Sequence, residues 1–396
     1  MSIELLYVIA AVLPVVLMPI LLPMVVLMAH RKHMTDSPNA RKLQDRPVVV
    51  MGGTVIVLIM CVTMIVVNLF YDISNLFLIV CVMVVLYIIG MLDDNINLEW
   101  QFKAVTQVVV VLLLFFGGSY GVHSLFGFMG IGELPIWMSF LLSLFIGLIL
   151  VNAVNFVDGI DGLASLLGVL SAVVMIVWNI RHFFIDQAIF SFIMLGVLSA
   201  FFIYNVFSIK YKSYMGDSGS LVLGLYVYMS ACPATYHTIS DDLLADRYFV
   251  SFIIALFSAM IFDFVRVVLT RIFNGKSPFH PDRNHLHHVY VDLGMSHLLT
   301  AVTIVLCNIL VILVWYFTAK SGMNSGWQFV IVVAAGLLAF WLPFYLVQNS
   351  RDHHPEKYMK HVQNCKKICE GMKPFMSFMN RIVDGRKRGN AIHKTE

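Results

Sequence analysis

Residues 76–97 read LFLIVCVMVVLYIIGMLDDNIN. Residues 76–92 carry no charge, and then two carboxylates, Asp93 and Asp94, arrive together. An apolar run of this kind approaches the roughly 20 residues that cross a bilayer as a helix. The pair of acids then marks the membrane surface. The rest of the chain repeats the pattern. Of 396 residues, 60% are hydrophobic and 12% charged, with a mean hydropathy of +0.86. A soluble domain cannot hide that much apolar surface in one core, so the excess must face lipid. Thirty Phe and 23 Met suit lipid-facing and interhelical packing.

Working outward, eleven spans are expected, giving an all-α polytopic membrane protein. They run roughly over 4–29, 47–70, 76–92, 104–116, 136–154, 163–180, 188–206, 219–236, 249–270, 297–318 and 327–348. The first, about Ile3 to Ala29, is too long for a signal-peptide core and lacks a basic leader, so it reads as a retained helix. Pro14, Pro19 and Pro23 are expected to bend it. The connections near 30–46, 93–103, 155–162, 207–218 and 271–296 hold eleven Lys and Arg, and the opposite set holds only Arg181, Arg247 and Lys320. The positive-inside rule puts the first set in the cytoplasm and the amino terminus outside. The stretch after Gln348 adds eleven more basic residues on the cytoplasmic side. The expected division is an integral membrane part, 1–348, and a basic tail, 349–396.

Four polar motifs fall in those connections, and the alternation of spans brings all four to one face. Gly90-Met-Leu-Asp93-Asp94-Asn95 precedes Lys103 and Gln107. Two adjacent carboxylates form a cation site, or one cation ligand and one base; the plainer alternative is a solvated helix boundary. Asn152-Ala-Val-Asn155-Phe-Val-Asp158-Gly159-Ile-Asp161-Gly162 packs hard oxygen donors between two apolar helices, at a density that one turn does not need. It lacks the closing Glu of an EF-hand. Tyr214-Met-Gly216-Asp217-Ser218-Gly219-Ser220 opens the eighth span. Capping by Ser218 or Ser220 competes there with anion binding by free amides. Gly275 to His288 carries Lys276, His280, Arg283, His285, His287 and His288, a cationic hydrogen-bonding loop of the kind a diphosphate needs. Zinc is the rival for clustered His, but no HExxH or Cys pairing accompanies it.

Other groups read more plainly. Asp263 and Arg266 stand at i, i+3 within a span, where they would neutralise each other. His30 and His33 belong to a basic interfacial stretch. His353 and His354 open the tail, whose charge would suit anionic lipid. Cys61, Cys81, Cys232 and Cys307 sit in apolar runs as small hydrophobes, and Cys365 and Cys369 match no metal motif.

Taken together, the Asp93-Asp94 pair before Lys103 and Gln107, the N-A-V-N-x-x-D-G-x-D-G-L-A loop, the M-G-D-S-G-S turn and the P-x-x-P-D-R-x-H-L-H-H loop resemble the polyprenyl-phosphate N-acetylhexosamine-1-phosphate transferases (glycosyltransferase family 4). The likeness covers about residues 40–350. Within that family the His loop and the span count resemble the WecA/TagO-like branch more than the phospho-MurNAc-pentapeptide branch. The resemblance implies a multi-pass protein of the cell (inner) membrane, with its active site facing the cytoplasm. It implies attack by the phosphate of undecaprenyl phosphate on the β-phosphorus of a UDP-sugar, with release of UMP. N-acetylglucosamine is the default sugar. Mg2+ is the implied cofactor, with Mn2+ as a substitute. The implied metal ligands are Asn155 and Asp217. Asp93 and Asp94 would lie near the lipid phosphate, as base or in the metal environment, and Lys103 would screen phosphates. Asp158 and Asp161 would shape the nucleotide-sugar pocket. Asn152, Arg283, His285, His287 and His288 would bind substrate. Asn97 departs from the pattern by standing where a third Asp is common. The expected partners are the UDP-sugar, undecaprenyl phosphate, membrane lipid and a second copy in a homodimer, with no nucleic acid.

Two other classes are weighed against this one. A transporter would place ionisable groups near the bilayer midplane within repeated broken helices. An intramembrane protease needs HExxH, a buried Ser-His pair or a G-x-G-D turn, and Met215-Gly216-Asp217 misses the last.

Overall fold

The computed structural model describes residues 2–31, 48–232, 247–277 and 283–385. His33, His280, Asp282 and the basic residues at 32–46 and 386–396 lie outside them. α1 (Ile3–Arg31) shows why the chain needs lipid. Leu6, Ala10, Met18 and Leu22 are buried along one stripe, whereas Val8, Val12, Val16 and Ile20 are each at least half exposed. Both stripes are apolar, so the outer one is suited to hydrocarbon. The helix runs unbroken through Pro14, Pro19 and Pro23.

The chain continues through α2 (Gly52–Asn68), α3 (Leu76–Ile96), α4 (Trp100–Gly118), a hairpin of β1 (Ser124–Phe128) and β2 (Ile131–Glu133), α5 (Ile136–Val157), α6 (Leu163–Arg181), α7 (Ile185–Phe207) and α8 (Gly216–Ala231). There follow α9 (Phe249–Leu256), α10 (Ser258–Phe273), the short α11 (Leu286–Asp292), α12 (His297–Lys320), α13 (Ser325–Gly336), α14 (Leu342–His353) and α15 (Pro355–Asp384). A π-helical turn, Leu337–Trp341, joins α13 to α14.

Every stretch read as a span contains a helix. Among the described residues, eight helical segments are long and apolar enough to cross a membrane. The pair α9 and α10, bent by 77°, makes a ninth if it is one span. The remaining two, α2 and α8, are shorter, at 17 and 16 residues. The protein is therefore a multi-pass, mainly helical membrane protein.

α8 is the axis of the bundle. All its residues from Ser218 to Ala231 are buried, and α2, α3 and α5 pack around it. Close approach is possible because glycines face it. A Cβ on Gly53 would lie 2.3 Å from the Gly219 nitrogen, and one on Gly90 would lie 2.5 Å from the Ser218 nitrogen. Backbone cannot move aside as a side-chain tip can. Gly90→Ala is therefore expected to force α3 away from α8 and to cost about 1–3 kcal/mol, read as a lower melting temperature in detergent. The amides of Gly52 and Gly53 donate to the carbonyls of Tyr214 and Met215 at 2.9 and 3.0 Å. The first turn of α2 thereby holds the loop that enters α8.

Candidate active site

The site begins with Asp94 at the end of α3. Its Oδ1 accepts the amide N–H of Asp217 at 2.8 Å, and its Oδ2 accepts that of Ser218 at 3.2 Å. These are donors of the first turn of α8, so Asp94 caps that helix from another segment. Gly216 makes the turn possible. It has φ +68, and a Cβ there would meet Asp94 Oδ2 at 2.6 Å. The alternative caps, Ser218 and Ser220, are both buried, and Ser220 Oγ accepts from Asn155 Nδ2 at 2.9 Å.

With its backbone held, Asp217 turns its carboxylate to two partners. Oδ1 accepts from Asn155 Nδ2 at 3.0 Å, and Oδ2 pairs with the Lys103 ammonium. Lys103 also pairs with Asp93 at 2.5 Å, while Asp93 Oδ1 accepts the N–H of Leu98 at 2.7 Å. One ammonium thus ties α3 to α8 through α4.

The α5–α6 connection forms the facing wall. Asp158 is pushed well above the usual carboxylate range by burial and then by the carboxylates of Asp217, Asp94 and Asp161. Burial pushes Asp161 up too, but the hydrogen bond from His297 and the charge of Lys212 hold it below that range. Lys212 and His297 reach its Oδ2 at 2.7 and 2.8 Å. Its Oδ1 is buried with no partner among the described residues. Asn205 braces the same wall: its Oδ1 accepts the N–H of Gly162 at 2.7 Å and its Nδ2 donates to the Ser213 carbonyl at 2.9 Å.

Asp93, Asp94, Asn155, Asp158, Asp161 and Asp217 line one cavity of about 380 Å³, together with His288 and His297. Residues of three of the motifs thus meet at one cavity, and His288 reaches it from the fourth. Four residues expected to bind substrate do not line that cavity. Asn152 interlocks its amide with Gln107, donating to Gln107 Oε1 at 2.8 Å. His285 faces Asp263 Oδ2 at 2.8 Å. His287 is buried behind Gly159, where a Cβ would lie 2.2 Å from its Nε2. Arg283 is about half exposed and pairs with Asp292 at 3.4 Å.

Asp263 and Arg266 do pair, at 2.7 Å. They also anchor the His loop, since Asp263 Oδ1 accepts the N–H of Leu286 at 3.0 Å and Arg266 donates to the Asn284 carbonyl at 2.5 Å. Burial, then His285 and Arg283, push His288 down to about 4, so it faces the cavity as a neutral ring. His297 and Lys212 were not singled out as site residues. The available signal was position: both stand on the motif-bearing face, one opening an apolar span and the other two residues before Tyr214.

Among the described residues, no three His, Cys, Asp or Glu side chains form a ready cation cage. Lys103 stands between Asp93 and Asp217, and Asp94 is spent on backbone amides. The donor set nonetheless fits Mg2+. That ion takes hard oxygens and commonly holds one or two protein carboxylates beside water and phosphate. Leaving Asp158 aside because its pKa is raised, Asp93, Asp94, Asp161 and Asp217, offset by Lys103 and Lys212, leave a negative surplus that a divalent cation would balance.

The fold and site define a membrane-embedded protein with an acidic cavity at one end of its helices. Residues 76–235 match the family described as "Glycosyl transferase family 4". Over 330 residues the chain is 28% identical to the undecaprenyl-phosphate alpha-N-acetylglucosaminyl 1-phosphate transferase of Escherichia coli (strain K12), covering 81% of this chain and 86% of that protein. The proteins of the same name from Salmonella typhi and Haemophilus influenzae are each 26% identical, over 80% and 66% of this chain and 84% and 73% of their own lengths. By these matches the chain is similar to the family 4 glycosyl transferases, the family that its motifs resemble.

Proposed function

We propose that the protein transfers a sugar-1-phosphate, by default N-acetylglucosamine-1-phosphate, from a UDP-sugar to undecaprenyl phosphate. A lipid phosphate oxygen bonds to the β-phosphorus, the bond from that phosphorus to the bridging oxygen breaks, and UMP leaves with that oxygen. The product is the lipid-diphospho-sugar that would start a cell-envelope polysaccharide. The observation that carries this reading is the convergence of five carboxylates and Asn155 on one cavity at the ends of membrane helices.

Asp217 and Asn155 would hold Mg2+, or Mn2+ in its place. When bound, the ion would spread the diphosphate charge. Lys103, already between Asp93 and Asp217, lies where it can turn to a phosphate oxygen. The nucleophile is an anion, so Asp93 and Asp94 act on its position and surroundings more than on a proton. Asp158, Asp161 and His297 form the nucleotide-sugar wall, and His288 borders it. This reading includes eleven spans with the amino terminus outside, placement in the inner membrane and a cavity open to the cytoplasm. It also includes an integral part at 1–348 with a tail at 349–396, and a homodimer. The names of the relatives lend a transporter no support.

The test is UMP release by protein in detergent, given undecaprenyl phosphate and a panel of UDP-N-acetylhexosamines. Activity with one donor, lost on chelation and restored by Mg2+, is expected. Folded, monodisperse protein that releases no UMP with any donor would count against the reading. His297→Ala should free Asp161 from one of its two partners and raise the KM for the UDP-sugar about tenfold, near 1.4 kcal/mol. The KM for the lipid should change little, and initial rates at varied donor and lipid check both.

A further inference from the structure

The long helix α15 follows the last membrane helix after a single residue, His354. Thirty residues of helix span about 45 Å, and the structure pins them along their length. The Tyr358 hydroxyl donates to the Asp292 carbonyl at 3.2 Å. The Cys369 sulfur accepts the N–H of Ser296 at 3.1 Å, just before α12. At the far end Asp384 accepts the Ser208 hydroxyl at 2.6 Å and the N–H groups of Ile209 and Lys210 at 3.0 and 3.2 Å, directly after α7. Its start is therefore tied to α11, its middle to the start of α12 and its far end to the end of α7, all on the motif-bearing face. The helix lies across that face instead of projecting from it.

Its side chains divide accordingly. Tyr358, Val362, Cys365, Cys369, Met372 and Met376 recur every three or four residues and turn toward the protein. A second flank carries Ile368, Phe375, Phe378 and Ile382, each about half exposed or more, at steps of seven, three and four. The helix also holds six Lys and Arg against three Asp and Glu. An apolar flank beside a basic surplus, held parallel to a membrane face, is the pattern of an interfacial helix on anionic lipid.

We propose that α15 seats Ile368, Phe375, Phe378 and Ile382 in the bilayer surface, with its basic residues on anionic headgroups. This holds whether or not the chain has the activity proposed above. The test uses the full chain with its native cysteines replaced by Ser, carrying one spin label at Phe378→Cys or at Glu370→Cys. Labelled protein is placed in nanodiscs of phosphatidylcholine alone or mixed with phosphatidylglycerol, and collision with oxygen and with a nickel chelate is measured. With phosphatidylglycerol, the label at 378 should become several-fold more accessible to oxygen than to nickel, while the label at 370 stays open to nickel. Replacing Lys357, Lys360 and Lys367, which share the side of that flank, by Gln should reduce the change at 378. A label at 378 open to nickel in both lipids overturns the proposal. Shielding from both reagents would mean a protein partner and also overturns it. Equal immersion with and without phosphatidylglycerol would refute the role of anionic lipid.

Discussion

Asp217→Asn is expected to lower UMP formation about 10³-fold, near 4 kcal/mol of barrier, while the protein still folds. The amide keeps the size of the side chain and one oxygen that can accept from Asn155 Nδ2, but it removes the charge that meets Lys103. A hard cation would lose its carboxylate donor in the cavity. Folding should survive because the first donors of α8 are satisfied by Asp94, not by Asp217 itself. The check combines three readings: UMP release, binding of Mn2+ followed by electron paramagnetic resonance, and melting in detergent. Loss of turnover with loss of Mn2+ binding and an unchanged melt is the expected result. A variant that binds Mn2+ and turns over as the parent does would sink the metal assignment.

The neighbouring carboxylate should behave in another way. Asp94→Ala would leave the partly buried amides of Asp217 and Ser218 without their acceptors, at a cost of about 2–4 kcal/mol. Asp94→Asn keeps one acceptor oxygen and should lose roughly half as much. Asp93→Asn keeps an acceptor for the Leu98 amide and should melt near the parent while losing activity, because its pairing with Lys103 is weakened. Melting temperatures in the order Asp94→Ala, Asp94→Asn, Asp93→Asn, parent would separate the structural carboxylate from the one that meets substrate. Parent-like melting of Asp94→Ala would refute the capping role. The pair that looks alike in sequence is divided by what each oxygen meets.

Much of the site was legible before any coordinates. Asp93, Asp94, Asn155, Asp158, Asp161 and Asp217 stand at the ends of apolar runs on one side of the membrane, and a count of runs brings them together. Hydropathy reads which side a loop is on, because the cost of burying charge in lipid is large and local. It does not read which way a side chain turns once it is there. His285 and Asn152 belong to the same motifs as the lining residues, yet one faces Asp263 and the other Gln107. His297 was passed over because its partner, Asp161, is distant in the chain.

Hydropathy is enough to specify a multi-pass helical bundle with one acidic face, since lipid accepts long uncharged helices and expels carboxylates to their ends. Where the helices break is set by contacts between distant segments. α9 and α10 meet at 77° with no proline or glycine between Leu256 and Ser258. The bend rests on Asn308 of α12, whose Oδ1 accepts from Ser258 Oγ and the Ala259 amide at 2.9 and 2.8 Å, and whose Nδ2 donates to the Leu256 carbonyl at 3.0 Å. Backbone groups freed inside a membrane must find partners, and here the partner lies some fifty residues away, beyond the reach of any local pattern.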